Sequence, residues 1–261
     1  MTGAALLEVR GAVKRFGGLA AVNGASLSIA EGSITALIGP NGAGKTTLFD
    51  LITGFTRLDE GTVWFSGRRV DRMRPHQIAR CGVIRTFQTA KLFRRMHVID
   101  NLLVSTQRQP GERLSGLLTR PRLTRKRADE LEAEAKELLA LLRLVSVGDD
   151  YAGTLSGGQR KLLELGRVLM ATPKLIMLDE PLAGVNPALG RELVEHLFAL
   201  REQRDLTFFL IEHDLRTVME ISDTVIVMSE GEVIAQGSPD AVRSDQRVVD
   251  AYLGTSTSTA I

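Results

Sequence analysis

The chain contains short, nearly continuous apolar runs that predict buried strands. Residues 33–38 form one such run, which ends at Gly39. Three more runs of the same character lie at 175–179, 207–211 and 224–228. Apolar side chains at consecutive positions are typical of parallel strands that are covered on both faces. These runs therefore predict a buried central sheet.

Two other segments have the looser pattern of exposed strands. Residues 6–16 alternate between apolar and polar side chains, and residues 62–65 have the composition of an extended segment. The Glu-Gly pair at 230–231 separates the run 224–228 from an apolar pair at 233–234, which predicts a hairpin.

Helical signals lie between these strands, at 46–54, 124–144, 159–171 and 186–203. The first segment ends with a glycine that suits the position after a helix C-terminus. The second and third have apolar residues three and four positions apart, which is the pattern of an amphipathic helix. The fourth begins with Asn-Pro, which suits a capping residue followed by the first helical position.

The order of these elements predicts the fold class. Strands and helices alternate before residue 57 and after residue 173, which predicts an α/β fold with a mostly parallel core sheet. Residues 90–165 are helical in pattern and poor in strands, so we interpret them as a helical insertion after which the chain returns to the same sheet. Residues 255–261 are of low complexity and are predicted to form a flexible tail.

Composition narrows the class of protein. The 261 residues are 44% apolar and 25% charged, as in ordinary folded domains, and the net charge of +2 does not indicate nucleic-acid binding. A single cysteine, Cys81, cannot form an internal disulfide, and no zinc site is predicted. The sequence shows no secretory signal and no apolar run of about 18 residues, so we expect a cytoplasmic protein that reaches a membrane through a partner.

Positive charge is concentrated in the middle of the chain. Residues 57–127 hold 17 Lys and Arg but 5 Asp and Glu, an excess of 17 − 5 = +12. One hypothesis is that this stretch faces anionic lipid or an acidic partner. The alternative is an ordinary solvated face. The basic residues concerned include Lys91, Arg94, Arg95, Arg108, Arg113, Arg120, Arg122, Arg125, Lys126 and Arg127.

The strongest chemical signal is a glycine-rich segment between a predicted strand and a predicted helix. Residues 39–46 read G-P-N-G-A-G-K-T and match the P-loop pattern G-x-x-x-x-G-K-[ST]. Backbone N–H groups of such a loop hold phosphate, Lys45 contacts the β- and γ-phosphates, and Thr46 ligates Mg²⁺. The candidate ATP-binding residues are Gly39, Pro40, Asn41, Gly42, Ala43, Gly44, Lys45, Thr46 and Thr47.

A second signal is a pair of carboxylates at the end of a predicted buried strand. Asp179 and Glu180 follow the run Leu-Ile-Met-Leu, at the carboxyl edge of the sheet where α/β proteins bind ligands. Asp179 is expected to hold Mg²⁺ through water, and Glu180 to polarise the attacking water. A solvated strand end is the alternative for this motif taken alone.

A third signal is a second glycine-rich segment before a helix. Residues 155–159 read L-S-G-G-Q, so that Ser156, Gly157, Gly158 and Gln159 could hold a phosphate. A chain that binds nucleotide with its own P-loop alone needs no second site for a phosphate group. Two copies of the chain could use it, each offering this segment to the other's γ-phosphate. The alternative is a flexible loop with a helix cap.

Together these segments resemble the nucleotide-binding subunits of ABC transporters, along nearly the whole chain. The resemblance implies a P-loop NTPase core with a mostly parallel sheet, an N-terminal antiparallel β part and a helical insertion. It implies one nucleotide-binding domain over 1–254, with a RecA-like core at 1–89 and 166–254 and a helical subdomain at 90–165.

The resemblance also gives roles to three residues that are weak signals alone. Gln88 is placed as the Q-loop glutamine, which reaches Mg²⁺ and the attacking water. His213 is placed as the switch histidine at the γ-phosphate, and Phe16 as the ring against adenine. The alternatives are strand core for Phe16, a surface polar residue for Gln88 and a capped strand end for His213. Two departures from the family pattern are Phe16, where tyrosine is usual, and Asn186, where aspartate is usual.

A narrower resemblance points to the LivG-type ATPases of branched-chain amino-acid importers. It rests on R-T-F-Q at 85–88, the 105–127 insertion, A-G-V-N-P at 183–187 and A-Y-L-G at 251–254. It implies an ATP- and Mg²⁺-dependent ATPase on the inner face of the membrane. The implied partners are integral membrane permeases, a second ATPase subunit and, indirectly, a substrate-binding protein, but no nucleic acid.

Several functions remain as alternatives. Closely related ATPases serve urea or amide importers and exporters of lipid or polysaccharide. A non-transport ABC ATPase of DNA repair or translation would usually carry coiled coils, zinc modules or a second cassette. A metabolic P-loop kinase would lack the L-S-G-G-Q segment. An ATP-binding scaffold is disfavoured by Asp179, Glu180 and His213.

Overall fold

The computed structural model describes residues 5–86, 92–106, 121–185 and 187–253. The chain divides into two compact units. The first unit contains Met1–Arg85, Lys174–Ala183 and Ala199–Ile261, and the second contains Thr86–Pro173 and Gly184–Phe198.

The described strands lie in the first unit. They are β1 (Ala5–Phe16), β2 (Leu19–Ala30), β3 (Ile34–Ile38), β4 (Glu60–Phe65), β5 (Arg68–Arg69), β6 (Val83–Arg85), β7 (Leu175–Asp179), β8 (Thr207–Ile211), β9 (Thr224–Ser229) and β10 (Glu232–Gly237).

The described helices are distributed over both units. They are α1 (Lys45–Thr53), α2 (Pro75–Cys81), α3 (Val98–Leu103), α4 (Pro121–Leu141), α5 (Gly157–Leu169), α6 (Pro187–Arg204), α7 (Leu215–Ile221), α8 (Pro239–Arg243) and α9 (Gln246–Leu253).

A six-stranded sheet forms the centre of the first unit, in the order β10-β9-β3-β8-β7-β6. Its neighbours are parallel except for the β9–β10 hairpin. Strands β3, β7 and β8 are buried at every position, as their apolar runs predict. Asp179 lies opposite Ile211 and Ile38 lies opposite Val227, so several strands end at the same edge of the sheet. That edge is where the chemistry-bearing loops emerge.

A four-stranded antiparallel sheet, in the order β2-β1-β4-β5, makes up the N-terminal part. The two sheets are joined where the Asn23 N–H donates to the Gly231 carbonyl at 2.8 Å. The mixed α/β architecture expected from the sequence is thus confirmed, with its antiparallel N-terminal part and mostly parallel core.

Some elements differ from the pattern-based expectations. Strand β2 was not predicted, although its buried positions, Val22, Ala25, Leu27 and Ile29, are apolar; small and polar residues at the positions between them leave no continuous apolar run. Helix α5 begins at Gly157 and not at 159, since Ser156 caps it. Helix α4 ends at Leu141, before Arg143 turns to a φ of +54°.

The second unit is helical in its described parts. Helix α4 buries an apolar stripe of the predicted spacing, formed by Leu131, Ala135 and Leu138. Asn101 on α3 is fully buried, and its amide group binds the backbone of Phe93. Within the described ranges, none of the helices combines the length and apolar character that crossing a bilayer requires.

Candidate active site

The glycine-rich loop between β3 and α1 has a shape that glycine alone permits at two points. Gly39 has a φ of +148°, and a Cβ there would lie 2.0 Å from the Met228 carbonyl oxygen. Gly44 has a φ of +94°, and a Cβ there would lie 2.2 Å from the Ala21 carbonyl oxygen. Any larger residue would combine an unfavourable backbone conformation with a steric clash. The loop is therefore packed tightly against β2 and β9.

The same loop presents donors suited to phosphate. Gly44 caps α1 without a side-chain hydrogen bond, so the first turn of the helix offers backbone N–H groups and the positive end of its dipole. Asn41, Gly42 and Thr46 are exposed beside it. The predicted P-loop segment thus forms a cradle for an anion.

Lys45 lies within this cradle. Its Nζ donates to the carbonyl oxygens of Gly39 at 2.8 Å and Pro40 at 2.9 Å. Burial lowers the pKa of Lys45, while the charges of Glu180 and Asp179 act in the opposite direction. The ammonium group is thereby held over the loop, where a phosphate could replace the two carbonyls.

Asp179 ends strand β7 and is buried. Its Oδ2 accepts from Nη2 of Arg85 at 2.8 Å. Its Oδ1 is buried and has no hydrogen-bond partner among the described residues. An orphaned carboxylate oxygen of this kind fits a metal-bound water or a metal ion. Since the described residues hold no cluster of three or more His, Cys, Asp or Glu, a Mg²⁺ ion here would also need Thr46 and nucleotide oxygens.

Glu180 occupies an unusual backbone conformation immediately after β7. Its φ is +50°, which is uncommon for a residue with a side chain. The conformation is held because its N–H donates to the Ile211 carbonyl at 3.0 Å and its own carbonyl accepts from Ala183 at 3.1 Å. This turn redirects the chain after the strand and leaves the carboxylate half-buried.

A buried carboxylate that the sequence patterns did not predict follows the end of β8. Glu212 is 1% exposed, and its two oxygens accept from the backbone N–H groups of Leu182 at 2.8 Å and His213 at 3.3 Å. Burial raises the pKa of Glu212. Glu212 thus ties the loop after Glu180 to the segment that carries His213.

His213 itself is accessible. Its side chain is 68% exposed, with Nδ1 3.7 Å from Oε2 of Glu212. The predicted switch histidine lies two residues after the end of β8, whose last residue, Ile211, is paired with Asp179 at the carboxyl edge of the central sheet.

Phe16 is the last residue of β1 and is exposed. The residue is 53% exposed, so the alternative that it belongs to the strand core is wrong. Lys14 Nζ lies 5.4 Å from the ring centroid. An exposed aromatic ring beside a cation suits a planar, electron-rich ligand such as a purine base.

Two further residues contact the site without having been singled out. Arg85 binds Asp179 and also contacts Asp50 on α1. Tyr252 on α9 is hydrogen-bonded to the backbone of Gly39, and burial raises the pKa of its phenol. Arg85 belongs to the R-T-F-Q fragment and Tyr252 to the A-Y-L-G fragment, but neither fragment predicted these contacts.

The L-S-G-G-Q segment lies in the second unit. The Oγ of Ser156 accepts from Gln159 N–H at 3.2 Å, and the Gln159 side chain accepts from Ser156 N–H at 2.9 Å. A Cβ on Gly158 would lie 2.3 Å from a methyl group of Leu189, so a larger residue here would have to displace the Leu189 side chain. Ser156 and Gly157 are exposed at the N-terminus of α5. The segment is a capped helix start that is open to a ligand.

Gln88 and Asn186 lie outside the described residues, as do the 255–261 tail and several basic residues of the 57–127 stretch. Of the predicted site residues that are described, the first unit carries Phe16, the P-loop, Asp179, Glu180 and His213. The second unit carries the L-S-G-G-Q segment.

Comparison with known proteins identifies the family. The sequence profile described as "ABC transporter" matches residues 22–183, which is more than half of the chain. The chain belongs to the ABC transporter family. A second profile, described as "Branched-chain amino acid ATP-binding cassette transporter", matches residues 232–257 of this ABC transporter ATPase.

Curated relatives match the ABC transporter ATPase over almost its full length. The "High-affinity branched-chain amino acid transport ATP-binding protein BraF" of Pseudomonas aeruginosa is 41% identical over 95% of this chain and 98% of its own. The corresponding LivG protein of Escherichia coli (strain K12) is 42% identical over the same shares.

Solved structures agree with this assignment. A nucleotide-free ATP-binding cassette from an ABC transporter superposes with a TM-score of 0.81, at 39% identity over 95% of this chain and 98% of that one. A cassette in its ADP conformation gives the same TM-score at 38% identity, over 96% and 99% of the two chains.

Proposed function

We propose that this ABC transporter ATPase hydrolyses ATP with Mg²⁺ and thereby powers the import of branched-chain amino acids through separate membrane subunits. The observation that carries the proposal is the glycine cradle around Lys45, with Asp179 and Glu180 at the end of a strand in the same sheet. The phosphate-binding and water-activating groups that ATP hydrolysis requires therefore lie in one unit.

The phosphate end of ATP fits the P-loop. Backbone N–H groups at the start of α1 bind the phosphate oxygens, and Lys45 exchanges its bonds to the Gly39 and Pro40 carbonyls for bonds to the β- and γ-phosphates. Thr46, Asp179 and Gln88 would hold Mg²⁺, which when bound neutralises charge that develops on the transferred phosphoryl group. The orphaned Oδ1 of Asp179 supports its place in this set.

The reaction needs a base for the attacking water. Glu180 takes this role, since it follows Asp179 directly and its turn is pinned to β8 by the bond from its N–H to Ile211. General-base catalysis by a positioned carboxylate contributes roughly 10²–10⁴-fold in rate. His213 contacts the γ-phosphate from the end of β8, with Glu212 holding its backbone in place.

The adenine end stacks on Phe16. The ring is exposed and at the end of β1, and stacking depends on the ring face and not on a hydroxyl group. Replacement of the usual tyrosine by phenylalanine therefore leaves adenine binding intact.

The complete hydrolysis site contains residues from two ATPase subunits, identical or homologous. Ser156 and Gly157 are exposed on the second unit, where they are available to the γ-phosphate bound by another chain. Residues 90–165 are the helical subdomain of a nucleotide-binding domain that covers 1–254. Closure of the two subunits on ATP would move the membrane permeases, because ATP binds the closed state more tightly than the open one.

The partners and the location follow from this role. The chain works on the cytoplasmic face of the membrane, bound to integral permease subunits, and a substrate-binding protein delivers the cargo to them. Cargo contacts belong to those partners, so the assignment of branched-chain amino acids is supported by the named relatives and by the profile match at 232–257. Nucleic acid has no part in this function.

The test is uptake of radiolabelled leucine and of urea by cells that carry the wild-type chain or the Lys45→Ala variant. Leucine uptake is expected to require Lys45, while urea uptake is not. If the variant lost urea uptake alone, the chain would instead be the ATPase of a urea importer. Normal uptake of both solutes by Lys45→Ala cells, with the variant shown to be expressed, would contradict the proposed role in transport.

A further inference from the structure

We infer that Arg85 is the resident counter-ion of Asp179 and makes metal binding at this carboxylate depend on bound nucleotide. The inference rests on the proposed Mg²⁺–ATP function of the site. It concerns how the chain's own charges behave before ATP arrives.

Arg85 is the centre of a cluster of three charged side chains, two of them buried, which we call the Arg85 triad. Its Nη2 donates to Oδ2 of Asp179 at 2.8 Å, and its Nη1 contacts Oδ1 of Asp50. The side chains of Arg85 and Asp179 are 8% and 2% exposed, while that of Asp50 is 34% exposed. The Phe49 ring, 5.6 Å from the guanidinium carbon, covers the group further.

A carboxylate as buried as Asp179 is costly unless a positive charge lies beside it. Arg85 supplies that charge at every physiological pH, because a guanidinium group does not lose its proton. It does so through one oxygen of Asp179 and leaves the other, Oδ1, buried and without a hydrogen-bond partner among the described residues. Arg85 therefore neutralises Asp179 while keeping one of its oxygens for a metal or a metal-bound water.

The net charge of the Arg85 triad affects how tightly a metal ion binds. Arg85 contributes +1 to the triad and the two aspartates −2, so its net charge is −1. A divalent cation that arrives alone meets the buried, unpartnered Oδ1 of Asp179 beside the positive charges of Arg85 and Lys45, and gains little. A cation that arrives with ATP gains phosphate oxygens and Thr46 as well. Metal binding is thereby coupled to nucleotide binding.

The test measures metal binding directly, with Mn²⁺ as the probe and loss of the free Mn²⁺ signal in electron paramagnetic resonance as the readout. Wild-type protein is expected to bind Mn²⁺ tightly when a non-hydrolysable ATP analogue is present and weakly without it. Arg85→Met leaves a triad of charge −2, so its nucleotide-free Mn²⁺ affinity should rise about tenfold or more. Arg85→Lys keeps the positive charge and should remain like the wild type.

Asp50→Asn changes the net charge of the triad in the opposite direction, and it serves as the test variant if Arg85→Met does not fold. It makes the triad neutral, so Mn²⁺ affinity in the presence of the analogue should fall several-fold. A purely structural role for Arg85 would not raise the nucleotide-free Mn²⁺ affinity of Arg85→Met and lower the Mn²⁺ affinity of Asp50→Asn in the presence of the analogue.

The outcomes separate this inference from the proposed function. Wild-type protein that shows no nucleotide-dependent Mn²⁺ binding would contradict the Mg²⁺–ATP site itself. Wild-type protein that binds Mn²⁺ with the analogue, alongside Arg85→Met and Asp50→Asn proteins with unchanged affinities, would overturn the role of Arg85 alone. An equal rise in nucleotide-free Mn²⁺ affinity in Arg85→Lys and Arg85→Met would also overturn the role of Arg85, because its charge would then not be the cause.

Discussion

Replacing Gly44 with alanine should destabilise the protein strongly, although it adds a single methyl group. The new Cβ would lie 2.2 Å from the Ala21 carbonyl oxygen, at a backbone φ of +94°. A left-handed conformation costs a residue with a Cβ about 1–2 kcal/mol, and overpacking against fixed backbone costs roughly 1–3 kcal/mol. The free energy of unfolding should therefore fall by about 2–5 kcal/mol.

Alanine substitutions at two other glycines separate the conformational cost from the steric cost. Gly42 has a φ of +82°, but a Cβ at this position would have no atom of the described residues within 4 Å, so Gly42→Ala should lose only the conformational part, about 1–2 kcal/mol. Gly18 lacks the positive φ and has no close neighbour in the described part of the chain, so Gly18→Ala should stay within about 0.5 kcal/mol of the wild type. Urea unfolding at equilibrium measures all three. Equal losses in the Gly44 and Gly42 variants would refute the steric reasoning and the tight packing of the loop against β2.

Three more predictions concern other parts of the site. Phe16→Ala should weaken ATP binding about tenfold or more by calorimetry, while Phe16→Tyr retains it; equal affinities would exclude adenine stacking. Because the folded-state pKa of Glu212 is raised above 4.5, its ionisation costs stability as pH rises from about 4.5 through that pKa. The loss amounts to about 1.4 kcal/mol for each pH unit between the unfolded and folded pKa values of Glu212. Urea unfolding at a series of pH values should show this loss in the wild type and not in Glu212→Gln. Parallel pH profiles of the two proteins would be evidence against the effect of Glu212. Ser156→Ala and Ser238→Ala each remove a helix cap worth about 1 kcal/mol, but only the former should reduce ATP-dependent dimerisation in light scattering. Equal dimerisation of the two variants would remove the cross-subunit role of Ser156.

The sequence was sufficient for the features that are encoded locally. The P-loop pattern, the strand before it and the helix after it are contiguous, so their chemistry could be predicted from residues 33–54 alone. The buried strands were equally clear, because a strand covered on both faces carries apolar residues at consecutive positions.

Other features depend on contacts between distant segments. Arg85 meets Asp179 because β6 pairs with β7, and Glu212 meets Leu182 because β8 ends beside the turn after β7. Strand β2 has small and polar residues at many positions, and its pairing with β1 makes it a strand. No local pattern could have predicted these contacts, because the partner residues are far apart in the chain.

The proposed mechanism depends most on Glu180 as the base that activates water for attack on ATP. The direct measurement is phosphate release by purified Glu180→Gln protein, with nucleotide binding determined on the same sample. ATP should still bind, while phosphate release should fall about 100-fold or more relative to the parent protein. Phosphate release at the parental rate by a variant that binds ATP normally would contradict the account.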